Sequence, residues 1–372
     1  MPAYLDHAAS APLCPEALEV MLPLLRDHHG NPSGSHAPAR LARQALEEAR
    51  DVVADGLGAQ PGEIVFTGSG TEADNLAVLG AHAIRPGRVL CSAVEHHAVL
   101  HACRVVGGET VPVGPDGVVD LDVLAARLGP DVSVVSVMLA NNEVGVVQPL
   151  AEIAALVRER APEAVLHTDA VQAFPWLDAA DLTTVADLVA VSAHKFGGPK
   201  GVGALVVREP ARVAPIVHGG GQERDRRSGT HDVAGIAGMA AALRATVDRR
   251  KQVVDRVRPL RDRLVDTLLA EVPGTWETGD RAGKVAGNAH VCFDGVESEA
   301  LLVLLDQAGV YASAGSACTS GALEPSHVLA AMGVPPDRAR GALRLSLGVT
   351  TTDADVDLAL EAIPPAVARC RS

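Results

Sequence analysis

Aromatic side chains are scarce: two tryptophans, two tyrosines and four phenylalanines make up 2% of the 372 residues. A core without aromatic bulk must be filled by Ala, Val, Leu and Gly through close helix-on-sheet packing. Cysteine is sparse too. The six residues Cys14, Cys91, Cys103, Cys292, Cys318 and Cys370 contain no C-x-x-C pair, which argues against a disulfide framework and a structural zinc site. Each thiol is then either a small buried hydrophobe or a reactive group. Basic charge is lacking as well, and a net charge of −14 excludes a chain whose affinity rests on nucleic-acid phosphates. No apolar run is long enough to span a bilayer. The N-terminal "MPAYLDHAASAPLCPEAL" has neither the basic start nor the apolar stretch of a signal peptide, so the expected location is the cytoplasm.

What is present is regular alternation. "EIVFT" (63–67) precedes the helical "EADNLAVLGAHAI", "RVLCSAV" (88–94) precedes "AVLHACRVV", and "VSVVSVMLA" (132–140) precedes "LAEIAALVRERA". "AVLHTDA" (164–170), "ADLVAVSAH" (186–194) and "GVGALVVR" (201–208) continue the series. Such alternation predicts an α/β fold with a mostly parallel sheet covered on both faces, and places ligands at the C-terminal ends of the strands. A helical stretch over about 232–270 leads to a smaller α+β unit containing "NAHVCFDG", "ESEALLVLLDQAG", "ALRLSLG" and a terminal helix.

The most informative segment is "SAHKFGGPKG" (192–201). A lysine among Ala, Phe and paired glycines at a strand end is partly desolvated, and a desolvated amine is free to form a Schiff base. Pyridoxal phosphate requires such a lysine together with an acid for its ring nitrogen. Lys195 and Asp169, the latter in "HTDAVQ", supply both; taken alone, Asp169 would read as a helix cap. Gln172 could bond the ring's phenolic oxygen. "TGSGTEADN" (67–75) offers Gly68 and Gly70 for close approach and Thr71 at a helix start, as an anion requires. In "VEHHAVLHAC" His97 and His101 share a helix face, but no metal motif is completed there, and no metal is expected. His96, at a strand end, is placed to stack on an aromatic ring and shuttle protons.

Together these segments closely resemble the cysteine desulfurases of the NifS and IscS type, pyridoxal-phosphate enzymes within the class V aminotransferase group. The resemblance runs from "YLDHAA" and "GNPSGSH" through "TEADNLA", "EHHAVL", "NNEVGVVQ", "HTDAVQ", "SAHKFGGPKGVGAL" and "HGGGQERDRRSGT" to "SAGSACTSGALEPSHVL" and "LRLSLG". It implies a fold-type I transferase, with a large cofactor domain over 15–251 and a small domain formed by 1–14 and 252–372. By matching position, Lys195 holds the cofactor, Asp169 its ring nitrogen, and Gln172 with Asn142 the phenolic side. Gly70, Thr71, Ser192 and His194 belong to the phosphate cradle. Thr230, in "RSGT", is contributed to the phosphate of a partner subunit, which implies a homodimer. Asn31 and Arg344 match the positions that hold the substrate carboxylate.

In "YASAGSACTSGALEPSH" the resemblance makes Cys318 the thiolate that attacks the sulfur of a cysteine substrate, leaving alanine and an enzyme persulfide for a sulfur-acceptor protein in iron–sulfur assembly or thiolation. Small neighbours suit a loop that must reach both the cofactor and an acceptor. Gly68-Ser69 reverses the family's commoner order. Other readings are a selenocysteine lyase or aminotransferase on the same scaffold and, from another class, a non-catalytic sulfur carrier or scaffold.

Overall fold

The computed structural model describes residues 2–315 and 326–372. The strands, in chain order, are β1 (Ala3–Tyr4), β2 (Ile64–Thr67), β3 (Arg88–Ser92), β4 (Glu109–Val111), β5 (Val132–Ser136), β6 (Val165–Asp169), β7 (Leu188–Ser192), β8 (Gly203–Val207), β9 (Thr275–Glu277), β10 (Asn288–Phe293), β11 (Val310–Tyr311) and β12 (Ala342–Ser346). Seven of them form one sheet in the order β2-β8-β7-β6-β5-β3-β4. Only β8 runs antiparallel to its neighbours.

The β-branched runs that predicted strands are buried along their whole length in β2, β5, β7 and β8. That pattern belongs to a sheet covered on both faces. One face packs through Phe66, Val135, Leu166, Val191 and Val206. The other packs through Val65, Val134, Leu188, Ala190 and Leu205. The alternation of these residues along each strand follows the period-2 geometry of the pleat. Short β4 was absent from the sequence reading because its three residues, Glu109–Val111, are half exposed at the sheet edge.

A separate cluster surrounds the antiparallel sheet β12-β10-β9, with Val291, Phe293, Leu343 and Leu345 at its centre. The helix Val233–Glu271, 39 residues long and therefore about 58 Å, belongs to both cores. Its Ile236, Met239 and Leu243 pack on the large sheet, and its Val257, Leu260, Leu264 and Leu268 pack on the small one.

The first residues cross between the two cores. β1 pairs in parallel with β11, Asp6 bridges Ser346 beside β12, and the chain then passes Lys195 at Ala8 and Ala9. A cleft results where the C-terminal ends of the large parallel strands face β12. Among the described residues, no helix is long and apolar enough to cross a membrane.

Candidate active site

The C-terminal ends of five strands converge on one cavity of about 540 Å³. β2 leads into the turn Gly68–Thr71. Ser69 caps the helix that follows by accepting from Glu72 N at 3.1 Å, so the reversed Gly68-Ser69 order puts a hydroxyl at the N-cap. Gly70 keeps this turn open: a β-carbon there would stand a tight 3.0 Å from Val171 Cγ2 and 3.1 Å from Ser192 Cβ. Gly70, Thr71, Ser192 and His194 all line this end of the cavity, combining two hydroxyl side chains with a helix start. His194 Nδ1 lies 3.3 Å from Ser10 Oγ, and burial lowers its pKa to about 4.

Asp169 ends β6 and lines the cavity with only 4% of its surface exposed. Burial raises its pKa to about 6, against the bond that Oδ1 accepts from Val171 N at 2.8 Å and the attraction of Lys195. Lys195 follows β7 in a short 3₁₀ turn, Ala193–Lys195. Its Nζ donates to Ala8 O at 2.7 Å and Ala9 O at 2.9 Å. The same N-terminal strap accepts at Ala8 O from Gln172 Nε2 at 2.7 Å. Two residues assigned to the cofactor thus share one backbone carbonyl.

His96 caps the helix His97–Val105, its Nδ1 accepting from Ala98 N at 3.2 Å. That bond requires an unprotonated Nδ1, so neutral His96 carries its hydrogen on Nε2. Burial, followed by the positive charge of Lys195, lowers its pKa to about 4. Around it, His97 sits with ring centroids 5.4 Å from His101 and 4.6 Å from His327. Among the described residues, no group of three or more His, Cys, Asp or Glu is arranged to hold a metal.

Arg344 reaches the cavity from β12 and is 2% exposed. Nη1 donates to Asn142 O at 3.1 Å and Gly315 O at 3.2 Å, and Nη2 to Asp6 Oδ1 at 2.8 Å. Nε is buried and has no partner among the described residues. Asn142 lines the same cavity.

Two expected site residues stand elsewhere, and a third lies outside the described residues. Asn31 is exposed, with Oδ1 turned back to accept from Ser33 N at 2.9 Å, and it is not among the described residues lining the cavity. Thr230 is also exposed and not among those lining residues. Cys318 lies outside the described residues. The sequence reading missed Asp6, the Ala8–Ala9 carbonyls, Asp74 and Glu143. "YLDHAA" and "NNEVGVVQ" had marked most of their positions as motifs without roles. Glu143 is buried, which raises its pKa, and it accepts from Ser326 Oγ at 2.5 Å.

A group with a phosphate, a basic ring nitrogen and a carbonyl to condense with an amine fits these residues. The observations that carry the fit are the Gly70 cradle, which a β-carbon would fill, and the buried Asp169 carboxyl on the same cavity as the Lys195 amine. The fold and the cavity are those of a pyridoxal-phosphate enzyme of the fold-type I class.

The particular family follows from comparison. The Aminotransferase class-V model matches residues 3–359, and the chain belongs to this family of pyridoxal-phosphate enzymes. It is 47% identical to the IscS-like cysteine desulfurase of Mycobacterium tuberculosis, over 99% of this chain and 97% of that one. It is 41% identical to the cysteine desulfurase IscS of Methanosarcina thermophila, over 99% and 93%. Among solved structures, a NifS-like protein superposes with a TM-score of 0.92 at 33% identity, covering 99% of this chain and 100% of the other. DndA from Streptomyces lividans superposes with a TM-score of 0.77 at 34% identity, covering 92% and 99%.

Proposed function

We propose that this protein is a cysteine desulfurase that takes sulfur from L-cysteine, releases L-alanine and carries the sulfur on Cys318. The observation that carries the reading is the meeting of Lys195, Asp169 and Arg344 on one cavity, in a chain that matches cysteine desulfurases along nearly its full length.

Bound pyridoxal phosphate supplies an electron sink conjugated to the substrate's amino group. Lys195 would anchor it through Nζ, and Asp169 would hold a proton on the ring nitrogen. Gly70, Thr71, Ser192 and His194 would take the phosphate, with Thr230 entering from the partner subunit. Gln172 and Asn142 would flank the phenolic oxygen. Arg344, whose Nε has no partner among the described residues, would receive the substrate carboxylate; its guanidinium plane is already set by Asp6 and two carbonyls. Asn31 would assist it. The Lys195 amine and the Nε2–H of His96 would move protons at the substrate's α-carbon and sulfur.

Cys318 would attack the substrate sulfur as a thiolate. An S–S bond forms as the substrate's C–S bond breaks, and the electron pair left on the substrate carbon takes up a proton to give alanine. The persulfide then passes to an acceptor thiol. The working unit is proposed to be a homodimer, with residues 15–251 as cofactor domain and 1–14 with 252–372 as small domain, acting in the cytoplasm. Incubating cofactor-loaded protein with cysteine and a thiol acceptor should release alanine and reduced sulfur in equal amounts. Alanine formation no faster than with free pyridoxal phosphate would refute the reading.

A further inference from the structure

Three consecutive residues other than glycine, Glu223, Arg224 and Asp225, have positive φ, at 51°, 57° and 64°. In this left-handed conformation an L-residue's Cβ crowds its own carbonyl, and a run of three persists only where the surroundings over-determine it. The over-determining group is the Glu223 side chain. Its buried carboxylate accepts from Arg50 Nη1 at 3.0 Å and Nη2 at 2.7 Å, from Phe66 N at 3.0 Å and from His231 Nε2 at 2.7 Å. Arg50 is fixed in turn by Glu47 and Ile64 O, and stacks over the Phe66 ring.

One carboxylate therefore ties both ends of the segment 223–231 to the edge strand β2. Midway, Arg227 holds Glu72 through two bonds of 2.7 and 3.2 Å. The framed segment presents Gly229 and Thr230, both exposed, and Thr230 is not among the described residues lining the cavity of its own chain.

We propose that Glu223 is a positioning residue that holds this loop in its left-handed form, so that Thr230 is presented to the cofactor phosphate of a second copy of the chain. The inference rests on the proposed exchange of Thr230 between subunits. A loop ordered before association loses little freedom on binding, and its hydroxyl meets the phosphate without rearrangement. A competing route exists in the same contacts. The Phe66 N bond steadies β2, which runs into the chain's own turn at Gly68–Thr71, and an effect by that route would stay within one subunit.

Mixed dimers separate the two routes. Lysine-bound cofactor is titrated by absorbance onto cofactor-free dimers, with no turnover required. Glu223→Gln homodimers should bind at least about tenfold more weakly than the parent. His231→Ala, which removes only the loop-end bond, should weaken binding less and covers the case in which Glu223→Gln folds poorly. When either variant is refolded with Lys195→Ala, each heterodimer holds one site that combines the variant's Lys195 with the partner's intact loop. That site should bind with parental affinity. Thr230→Glu refolded with Lys195→Ala serves as the control for subunit exchange. Restoration in the control but not with Glu223→Gln or His231→Ala overturns the positioning role and leaves the exchange standing. No restoration in the control overturns both. Homodimer affinities within twofold of the parent for both variants also overturn the proposal.

Discussion

His167 Nε2 stands 3.6 Å from Asp74 Oδ1, beyond hydrogen-bond distance, and among the described residues neither atom has a hydrogen-bond partner. Both side chains are buried, and Asp74 lines the same cavity as Asp169. Burial drives Asp74 well up, with the nearby charge of Asp169 adding to it, and burial lowers His167 to about 3. The raised carboxyl and the lowered imidazole both favour their neutral forms, which limits the negative charge beside Asp169. His167 Nδ1, 2.8 Å from Ser136 Oγ, completes a buried chain of polar groups.

This arrangement fixes the sign of a stability experiment. Asp74 binds its proton more tightly folded than unfolded, so its ionisation penalises the fold as pH rises above the unfolded value near 3.8. Asn mimics the protonated carboxyl and does not ionise. Asp74→Asn should be more stable than the parent at pH 7, because it carries no such penalty. The gain should vanish as pH falls towards 4. Urea unfolding of the cofactor-free protein measures it, and a loss of stability at pH 7 would contradict the assignment.

Arg344 and Asp6 yield a kinetic prediction. Arg344→Lys keeps the charge but loses the planar fork, and should cost about 2 kcal/mol in kcat/KM for cysteine, roughly 30-fold. The loss should appear in KM while the absorbance of bound cofactor stays parental. Asp6→Asn leaves the fork intact and loosens only its anchor, so a smaller rise in KM is expected. Unchanged cysteine kinetics in Arg344→Lys would remove this residue from the substrate site.

Lys195 is identified chemically. Borohydride treatment of the loaded protein followed by peptide mapping should place the label on Lys195. Label on Lys200, which also lines the cavity, would move the anchor.

The parts legible in the sequence are those governed by local pattern. β-branched runs marked β2, β3, β5, β6, β7 and β8, and the strand ends at Asp169, Ser192 and Lys195 marked the cavity, because parallel sheets bring such ends together. What was not legible depends on contacts distant in the chain or on the backbone. Asp6 meets Arg344 across 338 positions. The Lys195 amine is held by carbonyls of Ala8 and Ala9, which every residue type possesses. The left-handed turn at Glu223–Asp225 carries no glycine to announce it, since a buried carboxylate, and not local propensity, maintains it.

Cys318 is the thiol proposed to receive the sulfur. The other thiols are poor candidates: Cys91, Cys103 and Cys292 are buried, and burial raises the pKa of Cys14, Cys292 and Cys370, which suppresses the reactive thiolate. The most direct measurement is a single turnover with cysteine labelled in its sulfur, quenched with an alkylating agent and mapped by mass spectrometry. The account predicts one labelled persulfide per chain on Cys318, alanine in equal amount, and neither product in Cys318→Ser although cysteine still perturbs the cofactor absorbance. Labelled sulfur mainly on Cys91, Cys103 or Cys292, or parental alanine release from Cys318→Ser, would contradict it.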